Sequence, residues 1–580
     1  MARNGTEMPP RAGSERIAVV AASAAVICLL VFLRSLSCGF VNLDDYEYVL
    51  NNPLLRQLDA GAIVDAFTKP HAGFWMPLTW ISLALDYHFW GLNPLGYHLT
   101  NIVLHAVNTG LVVLIADRVL AKGHVTGSKR GVSDAKATSL NPPLSGGKLF
   151  TPPLIRRGWE GLGYPVTLML AGLLWGIHPL RVESVAWVTE RKDVLNGLFA
   201  FSSVLCYLRY ARLRESGEAF RACYLLALFL FACSLMAKQV TVVLPLVLLA
   251  LDWYWERVER AGVFNLLIEK IPFILVSGAM AAITLHFAKQ SGILLPHDTL
   301  PFVQRLLISG NALFEYCRLM VYPAGIMPLH IIDLSEMATY GAKTAVVVTA
   351  CIVLCVFRNR SGVVVTALCF LLPLLPVLAI FQNGLQAFAA RFTYLSAVAP
   401  AILLCSVFAP SFRRGGENGR RWGLGVAVLF LVAVTVVFAV ATFRQIAVWK
   451  STETVWTRII EVKPSGRAYK ERGMYRLANG NYAAAADDLA LSLEFARRAD
   501  LPEMFNLHAF RGEALRQQQR YGEALDEFTR AIAVCPRREY YFRRGVVLEG
   551  LGRKEAALED FRRAGGVEEP MKWLERGACD

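Results

Sequence analysis

Three groups of charged residues lie at the ends of apolar segments, where charge is costly unless it is used or paired. The first is the pair Asp44-Asp45, in Phe40-Val41-Asn42-Leu43-Asp44-Asp45-Tyr46, directly after the first apolar run. The second is the block from His178-Pro179 to Asp193, which holds Glu183, Glu190, Arg191, Lys192 and Asp193. The third comprises Lys238 and Arg391, in two separate connections with no acid adjacent in sequence. A carboxylate can take the proton from an attacking hydroxyl. Arg and Lys bind a phosphate and stabilise the charge that develops as it leaves. Acids and cations gathered at one membrane face therefore suit glycosyl transfer from a lipid-linked phosphate on the outer leaflet, with the lipid tail in a groove between spans. The plainer reading of each group is a helix cap or a solvated loop, because Asp is a favoured N-cap. Against it, Glu183 is followed by Val185-Ala186-Trp187-Val188, which places it close to buried surface.

These residues need elements that bring them to one face. The chain has 580 residues, 55% hydrophobic and only 18% charged, against about 25% charged in water-soluble domains. It therefore reads as a polytopic membrane protein. The net charge of +14 implies no nucleic-acid partner, since Lys and Arg collect in cytoplasmic loops. Arg3, Arg11 and Arg16 place the N-terminus inside. The loop Cys38–Gly96 then lies outside, with six acidic residues and two basic ones. The Gly-, Ser- and Pro-rich stretch 121–163 carries seven basic residues against two acidic ones and reads as a flexible cytoplasmic loop. Continuing the alternation predicts eleven crossings: Ile17–Leu36, Leu99–Leu120, Tyr164–Leu180, Val194–Leu213, Ala222–Ala237, Val240–Trp255, Ile271–Ala288, Thr344–Phe357, Val363–Phe381, Leu395–Pro410 and Trp422–Phe443. Phe302–Tyr322 does not fit this alternation and reads as re-entrant or interfacial. Asp44, Asp45, the block around Glu183, Lys238 and Arg391 all fall on the outer face. Phe74–Trp90 reads as an aromatic interfacial helix or as a wall of the acceptor cleft.

After Phe443 the composition turns water-soluble and helical. Gly512, Tyr521, Ala524, Phe528, Ala531 and Pro536 have tetratricopeptide-repeat spacing. Gly545, Ala557, Phe561 and Ala564 repeat it, and Gly473, Gly480, Tyr482, Ala485 and Leu489 give a weaker copy. The first unit, 39 positions from Gly473 to Gly512 against 33 from Gly512 to Gly545, carries an insertion. The last unit is expected to be capped by Pro570–Gly577 or by the membrane domain. The fold class is thus all-α, a membrane domain over 1–447 followed by an extracytoplasmic α-solenoid over 448–580. Most of the twelve cysteines lie in apolar runs and none has zinc spacing, so neither a disulfide framework nor a metal site is expected.

Val41-Asn42-Leu43-Asp44-Asp45, His178-Pro179 with Glu183 and Arg191–Asp193, Lys238-Gln239, and Ala389-Ala390-Arg391-Phe392-Thr393-Tyr394-Leu395 together resemble the transmembrane and tetratricopeptide-repeat protein O-mannosyltransferases. The likeness covers nearly the whole chain, and the His-Pro to Lys-Asp block is its most specific part. The resemblance implies a GT-C fold, a polyprenyl-phosphate sugar donor and an aspartate of the first external loop as base. On it, Asp44 and Asp45 are the catalytic pair, with Asp44 the base. His178, Glu183, Arg191, Lys192, Asp193, Lys238 and Arg391 hold the donor phosphate or substrate. It also implies a bacterial inner-membrane protein with a cytoplasmic N-terminus, periplasmic repeats, and an acceptor protein or glycan engaged through the repeats. No cofactor is required, although Asp44, Asp45 and Glu183 could hold a divalent cation. The family pattern near Arg391 reads Ala-Asp-Arg-Tyr-Thr-Tyr-Leu, so Ala390 and Phe392 remove an acid and a hydroxyl from that corner.

Two rival classes fit less well. A membrane-anchored scaffold has no use for so many spans or for the acids. A transporter of lipid-linked glycans places its charges near the bilayer midplane, often in broken helices, rather than at one face. The topology is testable: cysteines introduced at the turns around Gly480 and Gly552 should label from outside intact cells. Labelling only after the cells are opened defeats the outside placement of the repeats.

Overall fold

A computed structural model describes residues 12–120, 163–217, 219–292, 300–356, 361–381, 386–408, 417–498 and 504–565. The basic stretch 121–162, Arg358 and Arg360, Arg413 and Arg414, and the expected cap Pro570–Gly577 lie outside the described residues. The chain divides into two compact units, Met1–Trp449 and Lys450–Asp580.

In the first unit, α1 (Ala12–Phe32) leads through short turns to α2 (Ala60–Thr68), α3 (Pro77–Trp90) and α4 (Pro94–Leu120). Next come α5 (Gly163–Gly176), α6 (Val182–Ala186), α7 (Arg191–Ser216), α8 (Arg221–Ala237) and α9 (Leu244–Tyr254). Then follow α10 (Arg257–Ala261), α11 (Val263–Gln290), α12 (Phe302–Val321), α13 (Met337–Val356) and α14 (Ser361–Leu371). The unit closes with α15 (Thr393–Ser396), α16 (Val398–Phe408) and α17 (Glu417–Ile446). Among the described residues, six helices are long and apolar enough to cross a membrane, and a bent pair over Tyr164–Gly176 and Pro179–Ala186 makes a seventh. The protein is therefore a multi-pass, all-α membrane protein. The expected eleven apolar runs are largely helical, but the other four are broken or shorter than the ~20 residues of a straight span. α12 holds Arg305, Glu315 and Arg318 and is not among the six. It buries Ile308, Ala312, Tyr316 and Leu319 against Leu374, Leu378 and Phe388.

The helices differ in how far they are enclosed. The spans containing α4 and α7 are 61% and 67% buried, whereas those containing α13 and α17 are 6% and 11% buried. α4 and α7 therefore form the centre and the others face outward. α5 comes close to α4 because it offers glycines there: a Cβ on Gly172 or Gly176 would lie 2.5 Å from Val113 or Thr109. The bend after α5 follows from Pro179, which has no N–H to continue the helix. The freed backbone is buried and needs partners. α4 supplies them on one face. Asn101 Nδ2 donates to the carbonyls of Val185 and Trp187, both at 3.3 Å. His105 Nε2 donates to Gly176 O at 2.8 Å, and Asn108 Nδ2 to Val194 O at 2.8 Å. The Tyr394 hydroxyl joins this column, donating to His105 Nδ1 at 2.8 Å and accepting from Asn108 Nδ2 at 2.9 Å. Its backbone carbonyl accepts from Trp175 Nε1 at 2.9 Å. This ties the distant segment 390–396 to the bend. The approach to that segment is an antiparallel pair, β1 (His330–Ile331) with β2 (Gln386–Phe388), with His330 opposite Phe388.

The second unit begins with α18 (Thr452–Val462). Three antiparallel pairs follow: α19 (Gly466–Ala478) with α20 (Tyr482–Arg498), α21 (Met504–Gln517) with α22 (Tyr521–Val534), and α23 (Arg538–Gly550) with α24 (Lys554–Ala564). Each pair closes on a glycine. A Cβ on Gly473, Gly512 or Gly545 would meet Leu489, Phe528 or Phe561 at 3.0, 3.1 or 2.6 Å. The residue before each glycine is an arginine bonded to an acid sixteen positions on. These are Arg472 to Asp488 (2.7 and 2.9 Å), Arg511 to Glu527 (2.6 Å) and Arg544 to Asp560 (2.7 and 2.9 Å). Arg472 NH1 also donates to Thr457 of α18, and Arg544 NH1 to Thr529 of α22, so two rungs reach back to the preceding helix. By this bonding α18 acts as the second helix of an incomplete repeat and caps the array at its start. One sequence expectation is corrected here: Cys535 is disulfide-bonded. The repeat glycine with the tightest approach gives a test. Gly545→Ala forces a methyl onto the Phe561 ring and should destabilise its hairpin by about 1–3 kcal/mol. Thermal unfolding of the full chain should show this unit melting earlier, while Gly522→Ala, with open space around it, leaves it unchanged.

Candidate active site

The end of the first unit that carries the bend gathers charge from four separate segments. α7 begins there, and successive helical residues point about 100° apart, so Arg191, Lys192 and Asp193 face three directions. Lys192 points outward, with Nζ 3.2 Å from Glu190 Oε1 and 3.7 Å from Asp44 Oδ2. It lies 4.8 Å from the centre of the Tyr48 ring. Asp193 shares a face with Asn196, and the two hold the end of α8. Lys238 Nζ donates to Asp193 Oδ1 at 2.5 Å and to Glu190 Oε2 at 3.3 Å. Asn196 Nδ2 donates to the carbonyls of Ser234 and Lys238, both at 2.8 Å. Ser184 Oγ donates to the other Asp193 oxygen at 3.0 Å.

Arg391 enters from the turn before α15. Its backbone N–H donates to Glu183 Oε2 at 3.1 Å, and its guanidinium pairs with Glu183 Oε1. NH2 donates to Gln386 Oε1 at 2.7 Å, and Nε lies 3.2 Å from Glu190 Oε1. The guanidinium sits 5.3 Å from the Trp187 ring, which itself stacks on Trp449 with centres 5.2 Å apart. These acids hold the Arg391 guanidinium firmly in its charged form, raised above its ordinary range despite burial. The acid partners of Lys238 and Arg391 are thus supplied by other elements, although neither residue has one beside it in sequence.

The two aspartates separate. Asp44 is 41% exposed and lies against Lys192. Asp45 is fully buried: it accepts from Val41 N at 2.9 Å, from Thr189 N at 3.0 Å and from the Thr189 hydroxyl. Burial pushes its carboxyl up to about 7, against three hydrogen bonds that favour the ionised form. Asp45 therefore fastens the first loop to the segment before α7. Arg191 and His178 also turn away from the cluster. Arg191 is buried, with Nε to Asn101 Oδ1 at 2.5 Å, NH1 to Ser82 Oγ at 2.8 Å, and NH2 to Asp86 Oδ2 at 2.6 Å and Tyr97 O at 2.9 Å. His178 Nε2 meets Met320 O at 3.1 Å, and Nδ1 accepts from Leu180 N at 3.2 Å, which caps the short turn at Pro179. Asp44, Glu183, Lys192, Asp193, Lys238 and Arg391 come together.

Two further residues have no site role from the sequence, Glu190, which stands there only as part of the charged block, and Arg181, which is not singled out at all. Glu190 receives all three cations and lies at the centre of the cluster. Arg181 is buried beneath it, donating to Thr393 Oγ1, with its Nε and NH1 lacking hydrogen-bond partners among the described residues. Four carboxylates, Asp44, Glu183, Glu190 and Asp193, are thereby paired with the three cations Lys192, Lys238 and Arg391, and Arg181 lies within electrostatic reach of Glu183 and Asp193. Among the described residues no three His, Cys, Asp or Glu side chains converge as a metal site. An apolar cavity of about 180 Å³ has Thr241 and Leu395 in its lining, three and four positions in sequence after Lys238 and Arg391. It runs between α4, α7, α9, α14 and α16 as far as Leu120 and Tyr254.

The fold and this site define a polytopic helical membrane protein with a cluster of paired acids and cations at the helix break and an apolar cavity among its helices. No family model matches the chain, and no solved structure does. Its sequence is similar to that of the Protein O-mannosyl-transferase tmtc2 of Xenopus laevis, 28% identical over 37% of this chain, and of TMTC4 of Homo sapiens, 28% identical over 38%. The Protein O-mannosyl-transferase Tmtc1 of Drosophila melanogaster is 27% identical over 38% of it. The chain spans 22%, 27% and 21% of the length of those relatives. Its resemblance is thus to the transmembrane and tetratricopeptide-repeat proteins of that name.

Removing the charge from Arg191 leaves Asp86 buried without its ion pair, which costs about 3–5 kcal/mol. Arg191→Gln should therefore lower the thermal midpoint of the purified protein sharply. Ligand binding per folded molecule should stay unchanged, because the side chain points away from the cluster.

Proposed function

We propose that the chain is a glycosyltransferase that moves a sugar from a polyprenyl-phosphate donor to a hydroxyl of an acceptor, a Ser or Thr of a protein, at the outer face of the membrane. The names of its relatives favour mannose as the sugar. The observation that carries the reading is the convergence of Lys192, Lys238 and Arg391 on Glu190, with the half-exposed Asp44 against Lys192; the apolar cavity lined by Thr241 and Leu395, a few positions after Lys238 and Arg391, supports it. The groove accommodates an isoprenoid tail by burial of apolar surface. The rim cations bind the phosphate and stabilise it as it leaves. Asp44 takes the proton of the acceptor hydroxyl as its oxygen attacks the anomeric carbon. The bond from that carbon to the phosphate oxygen breaks, and the lipid phosphate departs with the electron pair. This chemistry requires no metal. The disulfide at Cys535 supports placing the repeats in an oxidising, extracytoplasmic compartment, as the charge pattern of the loops does. There the repeats present or gather the acceptor protein or glycan. On this reading the membrane is a bacterial inner membrane, and the charge pattern of the loops favours a cytoplasmic N-terminus with periplasmic repeats.

The decisive experiment is mass spectrometry of glycoproteins and glycans from a deletion strain complemented with variants. Asn is nearly isosteric with Asp but cannot take the proton. Asp44→Asn should leave the protein folded and donor binding intact while transfer falls about 10²–10⁴-fold. Wild-type transfer by this variant removes Asp44 as base. Asp45→Asn sets an amide against three donors, so it should lose thermal stability and less of the transfer rate per folded molecule. Arg391→Lys keeps a charge but not the fork that spans Glu183, Gln386 and Glu190, and should weaken donor binding and turnover together. Unchanged glycans in the deletion strain overturn the enzyme reading.

A further inference from the structure

Glu190 is the one carboxylate that all three rim cations share, at 3.2 Å from Lys192, 3.3 Å from Lys238 and 3.2 Å from Arg391. The three cations come from different parts of the chain. The depths of the groups differ in a consistent way. The Glu190 side chain is 1% exposed, while Lys192, Lys238 and Arg391 keep 10, 14 and 11% of their surfaces open. The carboxylate is thus the floor of the site and the cations are its rim. A ligand anion reaches the exposed edges of the cations with Glu190 behind them. Each of the other acids nearby pairs with one of the same cations, Glu183 with Arg391, Asp193 with Lys238 and Asp44 with Lys192, so Glu190 alone bridges all three.

A bare set of three cations favours the most highly charged phosphate available. A floor carboxylate changes that preference, because its repulsion acts on the ligand in proportion to the ligand's charge. The charge of the lipid phosphate changes during the proposed reaction. The donor is a phosphodiester with one negative charge. Transfer breaks the bond from the anomeric carbon to the phosphate oxygen, leaves the electron pair on that oxygen and sends the acceptor's proton to Asp44. The lipid product is a phosphate monoester, which carries close to two charges above its second pKa of about 6.

We propose that Glu190 is a resident anion that sets the charge this site accepts. It holds Lys192, Lys238 and Arg391 together before the donor arrives, and it selects the singly charged lipid phosphodiester over the doubly charged lipid phosphate left after transfer. Glu190 is a specificity-determining residue and takes no proton in the reaction. The inference rests on the donor reading above and adds to it a reason for product release: the reaction creates the charge that the floor repels.

The test uses the full chain in detergent at pH 8 and two probes with the same short polyprenyl tail, the phosphate monoester and its methyl diester. The wild-type protein should bind the diester at least as tightly as the monoester. Glu190→Gln keeps the shape and one acceptor but removes the charge, and should shift the ratio toward the monoester about tenfold or more. Glu190→Asp keeps the charge and should keep the wild-type order. A wild-type preference for the monoester of tenfold or more overturns the proposal without need of a variant. So does a folded Glu190→Gln protein with the wild-type ratio. If neither probe binds the wild-type protein, the donor reading itself falls and this inference falls with it. Probes that bind with the wrong order remove only the role of Glu190.

Discussion

A helix that breaks inside a bundle leaves backbone carbonyls and amides with no water to bond to, and each must find a partner or be lost at a cost of roughly 1–3 kcal/mol. The segment between Gly176 and Arg191 is such a break. Asn101 and His105 on α4 satisfy it from one face, Asn108 holds the first turn of α7 beside it, and Tyr394 closes the column from a distant part of the chain. Everything at the candidate site depends on this arrangement. The break allows Glu183 and Glu190 to point at one place. The tie to Tyr394 brings Arg391, three residues earlier, within reach of both.

The second constraint is charge balance. Lys192, Lys238 and Arg391 are mostly buried, and a buried cation without a partner is destabilising by several kcal/mol. Each is therefore matched to at least one acid, and Glu190 is matched to all three. A cluster made in this way is stable when empty and still presents cationic edges. A comparable network, centred on Tyr207, ties Asp252, Arg257, Glu269 and Lys270 near the other end of α7. There the cations and acids enclose one another, and the Lys270 side chain is entirely buried. The second network reaches the surface through Arg214 on Glu269 and Glu215 on Arg257.

Much of this was legible in the sequence, and the parts that were not have physical causes. Low charge content and long apolar runs announced a membrane protein, and the period of Gly473, Gly512 and Gly545 announced helix pairs. Span counting was less secure because α8, α9 and α16 are short and α5 is bent by Pro179. The adjacency of Asp44 and Asp45 implied that the two side chains diverge. Which one is buried depends on Thr189, 144 positions away from Asp45. The run Arg191-Lys192-Asp193 looked like one cluster, yet a helix begins at Arg191 and turns that residue inward onto Asp86. Glu190 was visible only as one charge of a block and Arg181 not at all, since both lie in a broken stretch where helical periodicity cannot say which way a side chain points. Cys535 had nothing in its spacing to mark it as half of a disulfide.

The stacked indoles of Trp187 and Trp449 have one further consequence. Their planes are 21° from parallel with centres 5.2 Å apart, close enough for their electronic transitions to couple. Trp187 also faces the Arg391 guanidinium at 5.3 Å, and a positive charge beside an indole shifts its emission. The cation that would meet a phosphate is thus wired to an intrinsic chromophore pair. The protein carries its own optical gauge of occupancy, legible in near-ultraviolet circular dichroism without any attached dye.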